Sequence, residues 1–513
     1  MLLGAVAAGL FLAALDTYVV VTLLPRMMTD LGLPIDRIER ATPIITGFLL
    51  GYIVTMPLLG SVSDAHGRGR VYLISLAAFA LGSLLTATAG LASVPSEEIA
   101  GLPWLVAGRV LQGLGGGAMV PVALALAADL YPVGARALPL GVISALQETG
   151  SVLGPLYGAT LTAVAGAASW RLVFIVNLPL VALCAAAYLG VRRAASSAAA
   201  PVAPRADGPG VDWVGGALLG LGLGLAVVAL YPDDPSTRAV SALFVPLGIS
   251  AVIVLVVYAV QQARGSRTLI PARLWRSRVF LGANLTNLLV GAGLMVALVD
   301  VPILARGVYG LGQLDGALLL ARFMVAIPVG ALAGGWLSPR LGYRSTALVG
   351  LLASAAAFTL MSRWGADELG HRLVGLRAVD LTLALCGLGF GVVIAPVASA
   401  ILDRADSSEH GLASSLVVLA RTIGMLLGLS TLTAFGLHRF YQLLREGPPL
   451  NLPAGASLAQ ATAALQARVT SALVAEYHEI FLLAAAVCAA AAVVALLTFE
   501  GGRPDRRREG RPA

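Results

Sequence analysis

LLGAVAAGLFLAALDTYVVVTLLP, Leu2 to Pro25, is an apolar stretch that carries one charged side chain, Asp16. About 20 such residues in a helix cross a hydrocarbon core roughly 30 Å thick. No small-residue cleavage site precedes Pro25, so the stretch reads as a first transmembrane helix rather than a signal peptide. Stretches of the same kind recur along the chain. The pattern predicts fourteen spans at 3–24, 41–63, 71–93, 102–130, 139–164, 172–191, 212–231, 240–262, 279–304, 314–338, 345–362, 379–402, 412–436 and 479–499. Composition agrees. The 513 residues are 58% hydrophobic and 12% charged, about half the charge of a soluble domain. The expected fold class is all-α and membrane-embedded.

The net charge of +7 comes with no lysine. With both termini in the cytoplasm, 19 of the 34 arginines fall in inner loops and the tail, 12 in outer loops, and Arg109, Arg322 and Arg421 inside spans. That bias orients the chain and accounts for the basic excess without a nucleic-acid partner. Loops are short, which leaves no room for a soluble catalytic domain. Residues 192–211 are rich in Ala, Pro and Ser and read as a cytoplasmic linker. The outer segment 437–478 is longer. Ser457 and Gln460 have capping-box spacing ahead of an Ala-rich stretch, which fits a helical extension, a helix lying at the outer surface, or a packed connector.

Enzymatic and metal chemistry find no support in the pattern. Cys184, Cys386 and Cys488 each lie inside an apolar span, and the five histidines fall in loops or at span ends. No zinc spacing, phosphate-binding loop or nucleophile set is present, so no metal and no cofactor is expected.

Two echoes reveal an internal repeat. GSVSDAHGRGR, Gly60 to Arg70, follows span 2, and GWLSPRLGYR, Gly335 to Arg344, follows span 10. LQETGSVLG at 146–154 in span 5 is matched by LARTIGMLLG at 419–428 in span 13, with one insertion. Both relate span n to span n+8. The division is then an N-terminal six-helix half over 1–191, a linker with two inserted helices over 192–278, a C-terminal half over 279–499, and a basic cytoplasmic tail over 500–513. Repeated halves around a central site are a common transporter design.

Ionisable groups inside the spans carry the functional signal. Asp16, Arg109, Glu148 and Arg421 each cost roughly 2.5–3.5 kcal/mol at mid-membrane unless they pair or face water. A proton carrier needs a carboxyl group that changes charge between two environments, and Asp16 and Glu148 are the candidates. Arg421 occupies the position pseudo-symmetric to Glu148, which suits a role in tuning these carboxylates. Asp300 and Arg322 lie nearer helix ends, where an interfacial role is an equal alternative. In span 5, Gly150, Gly154 and Gly158 make a flat face for close helix contact, and Pro155 favours a kink. For the glycines of span 7 (Gly216, Gly220 and Gly224), the ordinary frequency of glycine in membrane helices is explanation enough.

At these residues the chain resembles the major facilitator superfamily, and within it the fourteen-helix branch of drug–proton antiporters. GSVSDAHGRGR resembles the loop 2–3 signature, RVLQGLGGGA (Arg109 to Ala118) the helix 4 signature, and GSVLGPLYGA (Gly150 to Ala159) the antiporter signature of helix 5. LDTYVVVTLLP (Leu15 to Pro25) and SWRLVFIVNLP (Ser169 to Pro179) resemble further segments of that branch. Val62 and Ala65 depart from the usual loop pattern. The resemblance implies a major facilitator fold, proton coupling through Asp16, Glu148, Arg421 and Arg109, and a conformational motif of Gly60, Asp64, Gly67, Arg68 and Arg70. In that motif Asp64 would cap the start of helix 13. Together with LVDVPIL (298–304) and EYHEIF (476–481), the motifs are similar to those of actinobacterial exporters encoded beside a lipid-carrying lipoprotein. That similarity implies a lipid such as a triacylglyceride, or a lipophilic drug, as substrate and a periplasmic lipoprotein as partner.

The sequence thus leads to a proton-driven exporter in the cell membrane, energised by the proton gradient. A dedicated multidrug pump for lipophilic cations, a proton-coupled importer of the same fold, and a non-transporting receptor or assembly factor are the rivals.

Overall fold

The structure, a computed structural model, describes residues 2–33, 38–91, 101–130, 137–165, 169–196, 212–231, 237–264, 274, 276–373, 375–402, 410–447 and 457–500. Among these are fourteen long helices. They are α1 (Leu2–Asp30), α2 (Thr42–His66), α3 (Arg68–Thr88), α4 (Gly101–Leu130), α5 (Ala137–Ala165), α6 (Ser169–Ser196), α7 (Trp213–Leu230) and α8 (Phe244–Arg264), then α9 (Arg278–Gly307), α10 (Gln313–Leu341), α11 (Tyr343–Met361), α12 (Ala378–Leu402), α13 (His410–Glu446) and α14 (Leu458–Thr498). Thirteen of them are long and apolar enough to cross a membrane. Each expected span overlaps one of these helices.

Helix boundaries follow from local chemistry. Asp212 caps α7, accepting the Gly215 backbone N–H at 2.8 Å, and its carboxylate also takes the amides of Gln261 and Gln262 near the end of α8. The α7–α8 hairpin is thereby tied at one end. Between α2 and α3 the chain turns at Gly67, φ 93°, and between α10 and α11 at Gly342, φ 84°. A residue with a Cβ is strained at such φ values, which explains the glycine in both copies of the repeat.

The segment 437–478 is mostly helical. α13 runs to Glu446, and α14 begins at Leu458 behind a capping box formed by Ser457 and Gln460. The two helices contain 37 and 41 residues, roughly 55 and 60 Å long at 1.5 Å per residue. Both exceed the ~30 Å hydrocarbon core. The extension, not the packed connector, is therefore what the chain forms. Arg468 of α14 donates to the carbonyls of Leu444, in the last turn of α13, and of Gly447 just beyond it, joining the two extensions.

The chain divides into two compact units, one of Met1–Ala272, Gly312–Leu318 and Leu429–Tyr441, the other of Arg273–Leu311, Leu319–Gly428 and Gln442–Ala513. In the first, α4 packs along α2 and α3, α1 along α5, and α7 along α2. Small residues make the close approaches possible. Gly113 and Gly117 of α4 abut the α2 backbone at Phe48 and Tyr52, while Gly115 abuts Ser75 and Phe79 of α3. Gly216 and Gly220 of α7 rest on Leu58 and Val54 of α2, so these glycines do serve packing. In the second unit α9 packs along α14, and α11 along α12 and α14. Its centre is aromatic. Phe390 meets Phe323 and Phe358 edge-on at 6.1 and 6.0 Å, and Phe481 stacks on Phe358 at 6.2 Å.

Candidate proton-coupling site

Arg109 projects from the glycine-rich segment of α4, and the tight packing of that segment against α2 and α3 closes the guanidinium off from solvent. Arg109 and Asp16 of α1 are both fully buried. Arg109 Nη1 donates to Asp16 Oδ2 at 2.5 Å and to Gln112 Oε1 at 2.9 Å, and Nε donates to the Ile44 carbonyl at 3.3 Å. The ring of Phe48 lies under the guanidinium, 4.3 Å from its centroid, and Phe174 lies at 5.8 Å, which adds cation–π attraction.

The second Asp16 oxygen is held from α6. Asn177 Nδ2 donates to Asp16 Oδ1 at 2.8 Å. Behind it, Gln112 donates to Ser83 Oγ at 2.8 Å, and Thr86 donates to Gln112 Oε1 at 3.3 Å. The network draws on α1, α2, α3, α4 and α6. Two of its atoms, Arg109 Nη2 and Asn177 Oδ1, are buried without a hydrogen-bond partner. A buried charge pair with spare donor and acceptor capacity can rearrange when its carboxylate changes charge.

The glycines of α5 position this centre through α1. Added Cβ atoms at Gly150, Gly154 and Gly158 would meet Phe11 O at 2.7 Å, the carbonyl of Leu15, and Val19 Cγ2 at 2.8 Å. The glycine face of α5 thus lies flush on the turn of α1 that carries Asp16. α5 remains helical through Pro155, whose carbonyl accepts the Thr22 hydroxyl at 3.1 Å.

The other expected residues are placed as follows. Gly60 lies against Pro121, Arg68 is half-buried at the start of α3, and Arg70 is exposed. Asp64 and Glu148 sit on α2 and α5 with their side chains outside what the structure describes, as are the side chains of residues 410–415 at the start of α13, which Asp64 is expected to cap. Arg421 is buried on α13, where its backbone carbonyl closely approaches Gly291 of α9. Arg322 pairs with Asp380 of α12 at 3.2 Å, both partly exposed. The structure therefore brings together Asp16 and Arg109 from the expected set. It adds Asn177, Gln112 and Ser83, which sequence reasoning passed over because they are uncharged. An amide and a hydroxyl inside predicted spans were the available signal.

Comparison with known proteins gives a consistent picture. The model of the Major Facilitator Superfamily matches residues 6–429. A triacylglyceride transporter of Mycolicibacterium hassiacum is 44% identical over 99% of this chain and 94% of its own. A triacylglyceride transporter of Mycobacterium tuberculosis is 41% identical over 98% of this chain and 96% of its own. Among solved structures, the POT family transporter PepTSo superposes with a TM-score of 0.59 over 97% of this chain and 98% of that one, at 16% identity. The xylose transporter XylE of E. coli superposes at 0.57 over 94% and 95%, at 15% identity. At these identities the structural likeness speaks for the fold.

Proposed function

Since the chain belongs to the major facilitator superfamily of transporters, we propose that it is a proton-coupled exporter of lipophilic substrates, foremost lipids such as triacylglycerides, working by alternating access. The observation that carries the proton coupling is the buried Asp16–Arg109–Asn177 centre. A proton arriving at Asp16 removes the negative charge opposite Arg109. The guanidinium, still buried and charged, then has to find other acceptors, which favours a different arrangement of α1 against α4. Export of substrate and inward passage of the proton are linked through that change. Glu148 and Arg421 take part in the same coupling, and Gly60, Asp64, Gly67, Arg68 and Arg70 govern the conformational switch.

For the substrate, the names of relatives that match nearly the whole chain point to lipid. A cavity of about 410 Å³ against α2, α4 and α7 is consistent with that. Leu50, Val106, Val110, Val227 and Val228 line it, a surface suited to an acyl chain. The protein sits in the cell membrane with both termini in the cytoplasm. A lipoprotein on the outer side receives the lipid, and no cofactor beyond the proton gradient takes part.

The test uses the full chain in proteoliposomes, with transfer of a labelled triacylglyceride followed with and without an imposed proton gradient. Gradient-dependent transfer by the native protein that Asp16→Asn abolishes is the expected result. Equal transfer by both proteins would remove Asp16 from coupling. No lipid transfer, together with proton-gradient dissipation on adding ethidium, would replace the lipid by a lipophilic cation.

A further inference from the structure

We propose that Asp300 on α9 and Glu476 on α14 form a second proton-binding site, in the unit that does not contain Asp16. The two carboxyl groups are 6% and 7% exposed, and α9 packs along α14 in a register that sets Gly293 against Cys488 and Gly307 against Leu473, so the two residues stand about one turn apart on facing helices. Asp300 Oδ2 is buried with no hydrogen-bond partner. Tyr477, next in sequence to Glu476, is also buried. Neither carboxyl group forms an ion pair among the described residues.

The internal repeat makes the contrast instructive. α9 and α14 are the first and sixth helices of their half, as α1 and α6 are of theirs. In the first half, the carboxylate on the first helix takes an amide from the sixth and a guanidinium from the fourth. In the second half, the sixth helix contributes another carboxyl group. The fourth helix, α12, contains no basic residue between 378 and 402.

The cations on neighbouring elements are engaged, exposed or remote. Arg306 of α9 and Arg363, just beyond α11, are exposed, and Arg468 of α14 donates to the carbonyls of Leu444 and Gly447. Arg421 of α13 abuts Gly291, nine positions before Asp300, or roughly 13 Å along α9. The one basic residue of α11, Arg344, lies in its first turn. His478 Nε2 lies 3.1 Å from the carbonyl of Trp364. The remaining acidic groups nearby are Glu479, half-buried on α14, and Asp380 of α12, which pairs with Arg322.

Two adjacent carboxylates that are both buried and lack a cation are disfavoured in the ionised state by desolvation and by mutual repulsion. A proton on one of the two relieves both penalties, and their titrations are then coupled. The ligand is therefore a proton, one per pair. Its loss would place two like charges between α9 and α14, so occupancy controls how those helices pack. Binding at this pair stands apart from the coupling proposed for Asp16. Any role in transport rests on that coupling.

The test is infrared difference spectroscopy of the purified full-length protein in nanodiscs, following the protonated-carboxyl carbonyl band between neutral and alkaline pH. The native protein and Asp16→Asn should both show a carboxylic-acid band that is lost on alkalinisation. Asp300→Asn/Glu476→Gln should lack it, by about one group per chain. Should that double variant not fold, Glu476→Gln alone serves. With its like-charged neighbour gone, the remaining carboxyl group should titrate over a lower pH range than the native pair. An unchanged band in the double variant, or an unchanged titration in the single one, would overturn the site. Loss of the band in Asp16→Asn but not in the double variant would reassign the proton to Asp16 and leave the transport proposal standing.

Discussion

Replacing Gly154 by alanine tests whether α5 holds the Asp16 turn of α1 in place. The new Cβ would fall inside van der Waals contact of the Leu15 carbonyl oxygen and 3.2 Å from Val19 N. Both are backbone atoms, so the strain cannot be relieved by a side-chain rotation, and α1 and α5 must separate. Overpacking of this kind costs about 1–3 kcal/mol, set against a gain of about 1 kcal/mol in helix propensity. The control that cancels the gain is Gly190→Ala on α6, where nothing lies within 4 Å of the added Cβ. The difference between the two variants is then the packing cost alone. At about 2–4 °C per kcal/mol for a unit of this size, Gly154→Ala should melt roughly 2–12 °C below Gly190→Ala. Thermal unfolding of the purified protein in one detergent provides the comparison. Transport by Gly154→Ala should fall as well, because the displaced turn carries Asp16 away from Arg109. Equal melting of the two variants would refute the close α1–α5 contact and the positioning role assigned to the helix 5 motif.

Arg109→Ala leaves Asp16 buried without its cation, and breaking a buried pair costs about 3–5 kcal/mol. Its thermal unfolding should show the largest loss of any variant at the centre, with Asp16→Asn/Arg109→Gln recovering part of it. Asn177→Leu removes the 2.8 Å donation to Asp16, a charge-assisted bond with a net contribution of about 1.5–3 kcal/mol. Gradient-driven transport should drop more than stability, and wild-type rates would exclude Asn177 from the centre. Gly67→Ala and Gly342→Ala place a Cβ at φ 93° and 84°. Each should cost about 1–2 kcal/mol, and a neutral result at either would break the equivalence of the two turns. Ser457→Ala removes the capping box of α14 at a cost of about 0.5–2 kcal/mol. Faster amide exchange confined to the first turns after 457 is the expected signature.

Much of this protein was legible in one dimension because a bilayer imposes its demand on contiguous sequence. Every backbone polar group within lipid must be satisfied inside the segment. Leu2–Asp30 and its thirteen counterparts therefore had to be helices whatever their neighbours. The cost of burying charge likewise marked Asp16, Arg109 and Arg421, since such residues persist inside spans only for a reason. Repeat spacing fixed glycine at 67 and 342, a requirement of local backbone geometry.

What the sequence left open depends on contacts across helices. Ser457 and Gln460 marked a possible helix start, but hydropathy has no hold on a helix once it leaves the lipid, so the length of α14 emerged only in the fold. Asp16 could have paired with Arg109 or Arg421. Packing of the α4 glycines against α2 and α3 brought Arg109 to it. Asn177 carries no charge and so left only a weak mark in the sequence. Asp300 read equally well as interfacial, and the close packing of α9 on α14 is what buries it. Spans and charges follow from the cost of transferring a segment out of water, whereas partners follow from which helix faces meet.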